Sequence, residues 1–383
     1  MSAVLTAQPA FARPVDASAA LTRTIEFARV ALVIGLVFLH YFNLPGDHRP
    51  PFQGIDPEGP RLATFVNGFL TFFFFSAVPL LSAVSGWLFF GGGDRAGQGI
   101  GRKLRGRLKS LLLPLVLWNL ATLALAILVQ RVAPTIGFAQ QFNIQVATAD
   151  AWDYVNAVLG VTAVPIAFQF WFVRDLFVTV LCAPLIWLAL RHAPIAGAVV
   201  LAAVWAAGFT LGIFIRTDVL FFFYLGALAR RRGWDLGISA GATLSLLVAY
   251  AALTALRTLA PLVVDMADPA TIAWLDVVTR LIRPLGVVAC WGVCLQLAAT
   301  GWGGQLARWG GFAFFLHAAH YPVIALVKEV LSRVMPATGE AWLLAHYGAS
   351  VLVTLGIVAA AGVLVFRLSP AFYGVLAGGR RLA

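Results

Sequence analysis

Ten apolar runs of about twenty residues divide this chain, each close to the length a helix needs to cross the hydrocarbon core of a bilayer. They lie near 26–45, 64–90, 110–130, 169–190, 194–215, 218–230, 236–257, 277–299, 309–330 and 344–366. Lipid offers no partner for a bare peptide group, so only helices and closed barrels span it, and uninterrupted runs of this length read as helices. The expected fold is all-α: a polytopic transmembrane helical bundle of about ten spans. Composition agrees, with 61% hydrophobic and 11% charged residues where soluble domains carry about 25% charged. The sixth run, DVLFFFYLGALA, is short, and it is expected to pair with the fifth as a broken hairpin.

The net charge of +11 would suit a nucleic-acid partner, but the basic residues stand between apolar runs. They are better explained by orientation in the membrane and by anionic lipid headgroups. One loop holds Arg95, Arg102, Lys103, Arg105, Arg107 and Lys109; another holds Arg230, Arg231 and Arg232; the C-terminal end holds Arg367, Arg380 and Arg381. With ten spans all three fall on the side of the N-terminus, which makes both termini cytoplasmic. Residues 1–24 are expected to be a loose cytoplasmic tail, 25–370 the bundle and 371–383 a second tail; the N-terminal stretch lacks the layout of a cleaved signal peptide. Cys182, Cys290 and Cys294 sit in apolar runs and imply no disulfide framework. Gly91-Gly92-Gly93 reads as a hinge after the second span, since no strand–turn–helix unit surrounds it.

Ionisable residues inside spans are expensive and mark functional sites by default. In EFARVALVIGLVFLH, Glu26, Arg29 and His40 share one helix face, because eleven residues at about 100° each return His40 to within roughly 20° of Arg29. The same spacing lifts His40 about 16 Å above Arg29 along the axis. The plainer alternative puts Glu26 and Arg29 in the headgroups and gives His40 a packing role. Trp171, Arg174 and Asp175 open the fourth span; Arg174 and Asp175, adjacent in sequence, are expected to bond to other helices rather than to each other. Asp276 and Arg280 form an i,i+4 pair near Arg283. His317 and His320 lie mid-span, and two nitrogens are too few for a metal site, so no metal is expected. His320 matches His40 in expected depth. The GRKLRGRLKS loop is more basic than orientation requires, and it would bind the phosphates of a soluble cosubstrate or of anionic lipid.

These residues fall into blocks that resemble the membrane-bound acyltransferase-3 family. The blocks are Glu26-x-x-Arg29 with His40 eleven residues beyond Arg29, FFFSAVPLLSAVSGWLF, RGRLKSLLLPLVLW, QFWFVRDLFVTVLCAPLI and, more weakly, FAFFLHAAHYPVI; together they cover most of the spans. Ser110 stands where the family often has a second basic residue, with Arg102 and Arg105 available nearby. The hydrolase-like domain that some members carry is not expected here. The resemblance implies an inner-membrane O-acyltransferase. Its donor would be an acyl-CoA, acetyl-CoA foremost, and its acceptor a hydroxyl of an extracytoplasmic glycan or lipid-linked glycan. Arg102, Lys103, Arg105 and Arg107 would hold the donor phosphates. His40 would act as general base with Glu26 and Arg29 beside it, and Trp171, Arg174, Asp175 and His320 would shape the acceptor side. Intramembrane Arg, Asp and His would also suit a transporter or flippase without acyl-transfer chemistry, or a scaffold subunit of polysaccharide export.

The orientation is directly testable. A reporter active only outside the cytoplasm should be silent when fused after Ala383 and active when inserted near Thr148; activity at the C-terminus would refute the loop assignment.

Overall fold

The computed structural model describes residues 14–47, 49–91, 99–335 and 339–382, and all regular structure among them is helical. Each of the ten apolar runs falls on helix. The first is α1 (Pro14–Leu39), the second α2 (Arg61–Phe74) with α3 (Ala77–Phe89). A basic segment, α4 (Ile100–Arg107), leads into α5 (Leu113–Val132), and α6 (Ala151–Leu159) lies in the long connection that follows. The fourth run is α7 (Trp171–Leu181) with α8 (Ala183–His192), and the fifth and sixth are α9 (Pro194–Ala206) and α10 (Asp218–Arg232). Then come α11 (Ala240–Leu259), α12 (Pro269–Ala298), α13 (Gly301–Ala307) joined to α14 (Ala313–Val334), α15 (Glu340–Leu368) and a last short α16 (Pro370–Leu376).

Among the described residues, six helical segments are by themselves long and apolar enough to cross a membrane, or seven if the bent α7–α8 pair counts as one. The other three expected spans fall short for physical reasons. α1 carries Arg23, Glu26 and Arg29. α9 has 13 residues and α10 has 15, about 20 and 22 Å of helix against a core of about 30 Å. α9 and α10 do form the expected hairpin: the Tyr224 hydroxyl donates to the Pro194 carbonyl at 2.9 Å, and Trp205 stacks on Phe221.

Two terminal expectations need correction. Residues 14–24 belong to α1 rather than to a loose tail, while 1–13 lie outside the described residues. The C-terminal segment is not a free tail either. Tyr373 of α16 is buried, Trp118 donates to the Leu376 carbonyl, and residues 377–382 fold back beneath α5 and α14. Arg95, Gly92 and Gly93 lie outside the described residues.

α1 is the central element and packs on α2, α3, α12, α13, α14 and α15. Proline sets the irregularities around it. Proline lacks a donor and crowds the carbonyl four residues back. Pro184 accompanies the 59° bend between α7 and α8. Pro114 follows a π turn at Leu108–Leu112, which widens the helix ahead of it. Pro79 follows the break at Phe75–Ser76 between α2 and α3. Pro322 sits inside α14 and frees the Ala318 carbonyl, which the side chain of Gln169 takes at 2.7 Å.

Lipid tails are as apolar as leucine, so helices in a membrane associate through close packing and small residues. α3 and α10 use one glycine each. A Cβ at Gly86 would overlap the Phe223 carbonyl, and one at Gly226 would overlap the Ala83 carbonyl. Both obstacles are backbone and cannot swing aside. Gly86→Leu should therefore lower folded yield and melting temperature in detergent, at a cost of about 1–3 kcal/mol or more. Gly101→Ala, whose Cβ meets nothing within 4 Å, should leave both unchanged. Equal stability of the two variants would disprove the close α3–α10 contact.

Candidate active site

His40 follows the last turn of α1, and the neighbouring backbone is tied down from three helices. Its amide bonds the Leu36 carbonyl at 2.9 Å. The ammonium of Lys328 on α14 caps the Tyr41 and Asn43 carbonyls at 2.6 and 2.7 Å, taking up acceptors a helix C-terminus leaves open. Asn67 of α2 donates to the Phe42 carbonyl at 2.8 Å. His346 of α15 bonds the Tyr41 hydroxyl at 2.8 Å. Phe42 holds φ at 58°, a left-handed conformation that costs a bulky residue about 1–3 kcal/mol and persists only when its surroundings enforce it. Its ring packs on Phe168 and Tyr321.

The imidazole of His40 meets that of His320 on α14, with Nδ1 2.6 Å from the His320 Nε2 and the two rings 3° from parallel. The His320 Nδ1 lies 3.0 Å from the Leu316 carbonyl. A carbonyl only accepts, so the His320 Nδ1 carries the proton. In the neutral state of both rings, the His320 Nε2 is then an acceptor, and the His40 Nδ1 donates to it. His40 keeps the lone pair of Nε2. Both rings are buried, and Phe168 presses edge-on against His40 at 4.8 Å between centroids.

His40 lines a cavity of about 220 Å³ whose far wall is charged. There Asp218, at the start of α10, accepts from Arg216 Nε at 3.1 Å, from Trp205 Nε1 at 3.0 Å and from the guanidinium of Arg283 on α12. Two guanidiniums share one carboxylate, so the wall is net positive. Arg216 also lies over the Trp171 ring at 5.2 Å, and Trp171 lines the cavity. Arg283 was legible only as one of the charges in the eighth span, and its partner is Asp218. Arg280 donates instead to the Ala206 carbonyl at 3.2 Å.

A second, smaller cavity of about 90 Å³ lies along the same face of α1, lined by Arg29 and Val33. It shares Phe172 and His317 with the first. The face inferred from spacing is therefore continuous, with Arg29 and Val33 in one cavity and Leu36 and His40 in the other. Glu26 pairs with Arg29, and its carboxylate lies where a Cβ on Gly310 would be. Arg107 and Arg380 complete the cationic lining. Arg380 reaches this position from the C-terminal segment, 5.0 Å over the Phe314 ring. Burial first, then Arg29 and Arg107, pull its pKa down to about 10.

The basic loop is thus divided. Arg107 points into the cavity, and Lys103 and Arg107 line a shallow mouth outside it, where the Lys103 ammonium also holds the Phe89 and Gly91 carbonyls at 2.7 and 3.0 Å. Arg102 and Arg105 face outward and are exposed. Arg174 and Asp175 line neither cavity and, contrary to expectation, bond to each other at 2.7 Å. Arg174 also clamps the Gly160, Val161 and Ile213 carbonyls, while Asp175 accepts from the Ile215 and Arg216 amides. The guanidinium is long enough to curl back beside its neighbour once three carbonyls of two loops surround it. The pair positions Arg216 rather than touching the cavity itself.

Of the residues singled out by the sequence, His40, His320 and Trp171 meet at a histidine pair with a free nitrogen in a cavity, and Glu26, Arg29 and Arg107 meet at a cationic chamber next to it. Among the described residues no group of three metal-ligating side chains occurs. No solved structure matches the chain. The chain is 28% identical over 361 residues to the succinoglycan biosynthesis protein ExoH of Rhizobium meliloti (strain 1021), covering 93% of this chain and 92% of that protein. The acyltransferase domain model of the acyltransferase-3 family matches residues 23–366. That match spans all four principal motif blocks and decides for an enzyme over a transporter or scaffold: the chain is a multi-pass membrane acyltransferase and belongs to the acyltransferase-3 family.

Proposed function

We propose that this enzyme is an inner-membrane O-acyltransferase that moves an acyl group, acetyl foremost, from a cytoplasmic acyl-CoA to a hydroxyl of an extracytoplasmic glycan or lipid-linked glycan. The observation that carries the reading is the hydrogen-bonded series from the Leu316 carbonyl through His320 to His40, which leaves the His40 Nε2 as an acceptor at the wall of a cavity. The family match supports acyl transfer, and the relative's role in succinoglycan biosynthesis supports a surface polysaccharide as acceptor.

In this reading Arg107, with Arg29 and Arg380 behind it, holds the phosphates of the donor, and Glu26 keeps Arg29 in place. Lys103 stands at the mouth. The acyl end reaches past His317 to His40. The acceptor hydroxyl enters the larger cavity along Trp171 and Arg216 and gives its proton to the His40 Nε2 as its oxygen attacks the thioester carbon. Imidazole suits this task because the lone pair of its unprotonated nitrogen accepts the proton and can return it. His320 holds the ring in the tautomer the reaction needs. The proton then passes from His40 to the departing thiolate, so that CoA leaves as a thiol and His40 returns to its starting state.

Two measurements test the assignment. His40→Gln keeps size and hydrogen bonding but takes up no proton, and should lower transfer by about 10²–10⁴-fold at unchanged expression; near-normal glycan acylation would make His40 structural. Arg107→Gln should raise the KM for acyl-CoA by about tenfold or more, since a charge-assisted hydrogen bond contributes about 1.5–3 kcal/mol. Arg102→Gln and Arg105→Gln should not, because both side chains face outward. An equal effect at all three positions would reduce the loop to a diffuse surface charge.

A further inference from the structure

We propose that His317 is a catalytic residue that donates a hydrogen bond to the acyl carbonyl oxygen during transfer. The assignment rests on the acyl-transfer reading above and adds to it the group that stabilises the developing oxyanion.

Three observations converge on His317. It stands at the junction, one of two residues, with Phe172, that line both the His40 cavity and the cavity of Arg29, Arg107 and Arg380. It is 4% exposed, and neither of its ring nitrogens makes a hydrogen bond of ordinary length and angle; the Gln169 backbone is at most a weak partner to one of them. The other buried histidines among the described residues are all bonded: His40 and His320 to each other, His346 to Tyr41 and Ser332. A buried polar group left open costs about 1–3 kcal/mol, and such a cost at the junction of two chambers points to a ligand atom. The ring is also held firmly. Phe170 and Phe172 pack edge-on against it at 6.0 and 5.8 Å between centroids, and its place on α14 is one turn before His320, whose ring centroid lies 5.9 Å away.

The ligand atom follows from the order of the chambers. A thioester arriving from the cationic side meets His317 before it meets His40. A neutral imidazole has one N–H to give, and the thioester carbonyl oxygen is the acceptor that comes within its reach. When the acceptor oxygen attacks, the carbonyl oxygen gains negative charge. A fixed donor in a dry site then contributes far more than it does to the ground state. No proton is transferred at His317. The new C–O bond forms, the C–S bond breaks, the hydroxyl proton goes by way of His40 to the thiolate, and His317 retains its own proton throughout.

The test separates this role from a packing role. His317→Leu keeps the bulk and removes the donor; His317→Gln keeps an N–H donor. The first should lower kcat by about 10²–10³-fold with the KM for acyl-CoA within about twofold of wild type. The second should restore at least about a tenth of the activity. Infrared spectra of acyl-CoA labelled with ¹³C at the carbonyl, bound in the absence of acceptor, supply an independent readout. The stretch should move to lower frequency in the wild type and return to its solution value in His317→Leu. Wild-type kcat in a folded His317→Leu protein, or no carbonyl shift in the wild type, would overturn the assignment while leaving His40 untouched. A wild type that transfers nothing from acyl-CoA would overturn the underlying reading and this assignment with it.

Discussion

One hydrogen bond, 2.6 Å between the imidazoles of His40 and His320, depends on most of the architecture and gives it a purpose. The two residues are 280 positions apart. To meet they need α1 at the centre of the bundle and α14 packed along it. They also need the end of α1 and the segment of α14 around Pro322 held in place. The fixing comes from unlike devices. Lys328 caps the end of α1, Asn67 holds the strained Phe42, and Gln169 occupies the carbonyl that Pro322 frees. Each uses a backbone carbonyl left open by a helix end, a turn or a proline, so irregularity in one helix becomes an anchor for the next.

Charge is arranged around that contact with little redundancy. On one side Arg29, Arg107 and Arg380 face a small chamber with Glu26 as the nearby carboxylate. On the other, Arg216 and Arg283 share Asp218. Both ends are net positive, and the histidines lie between. An ion pair buried away from water is poor evidence for stability, since desolvation offsets much of the attraction. Excess guanidinium lining a cavity is better read as a site for anionic or electron-rich atoms. Arg174 and Asp175 show the contrasting case: every contact they make is internal, and their effect on the cavity passes through the backbone of Arg216.

Local periodicity made much of this legible, and long-range assembly hid the rest. The spacing of Glu26, Arg29 and His40 on one helix translated directly into a single face lining both chambers. Matching depth for His40 and His320 suggested a comparable level in the membrane, and the two rings touch. Three features escaped. Arg380 reads from sequence as a cytoplasmic charge, because nothing local shows that the chain after α16 turns back under the bundle. Asp218 opens a short aromatic run and gave a signal, an acid ahead of apolar residues, whose partner on α12 only the packing reveals. Arg102 and Arg105 match the basic motif as well as Arg107 does, and only the helical phase of α4 separates inward from outward. An apolar run does not by itself show how long its helix is: α9 and α10 are shorter than a full crossing needs.

The central claim is that His320 fixes the tautomer of His40 and leaves its Nε2 unprotonated toward the cavity. ¹⁵N NMR of the protein labelled at histidine, with His40 and His320 identified by their loss in single variants, reads this directly. The account predicts protonated Nδ1 and unprotonated Nε2 on both rings near neutral pH, with a through-hydrogen-bond coupling between the His40 Nδ1 and the His320 Nε2. A proton on the His40 Nε2, or no coupling between the two rings, would contradict it.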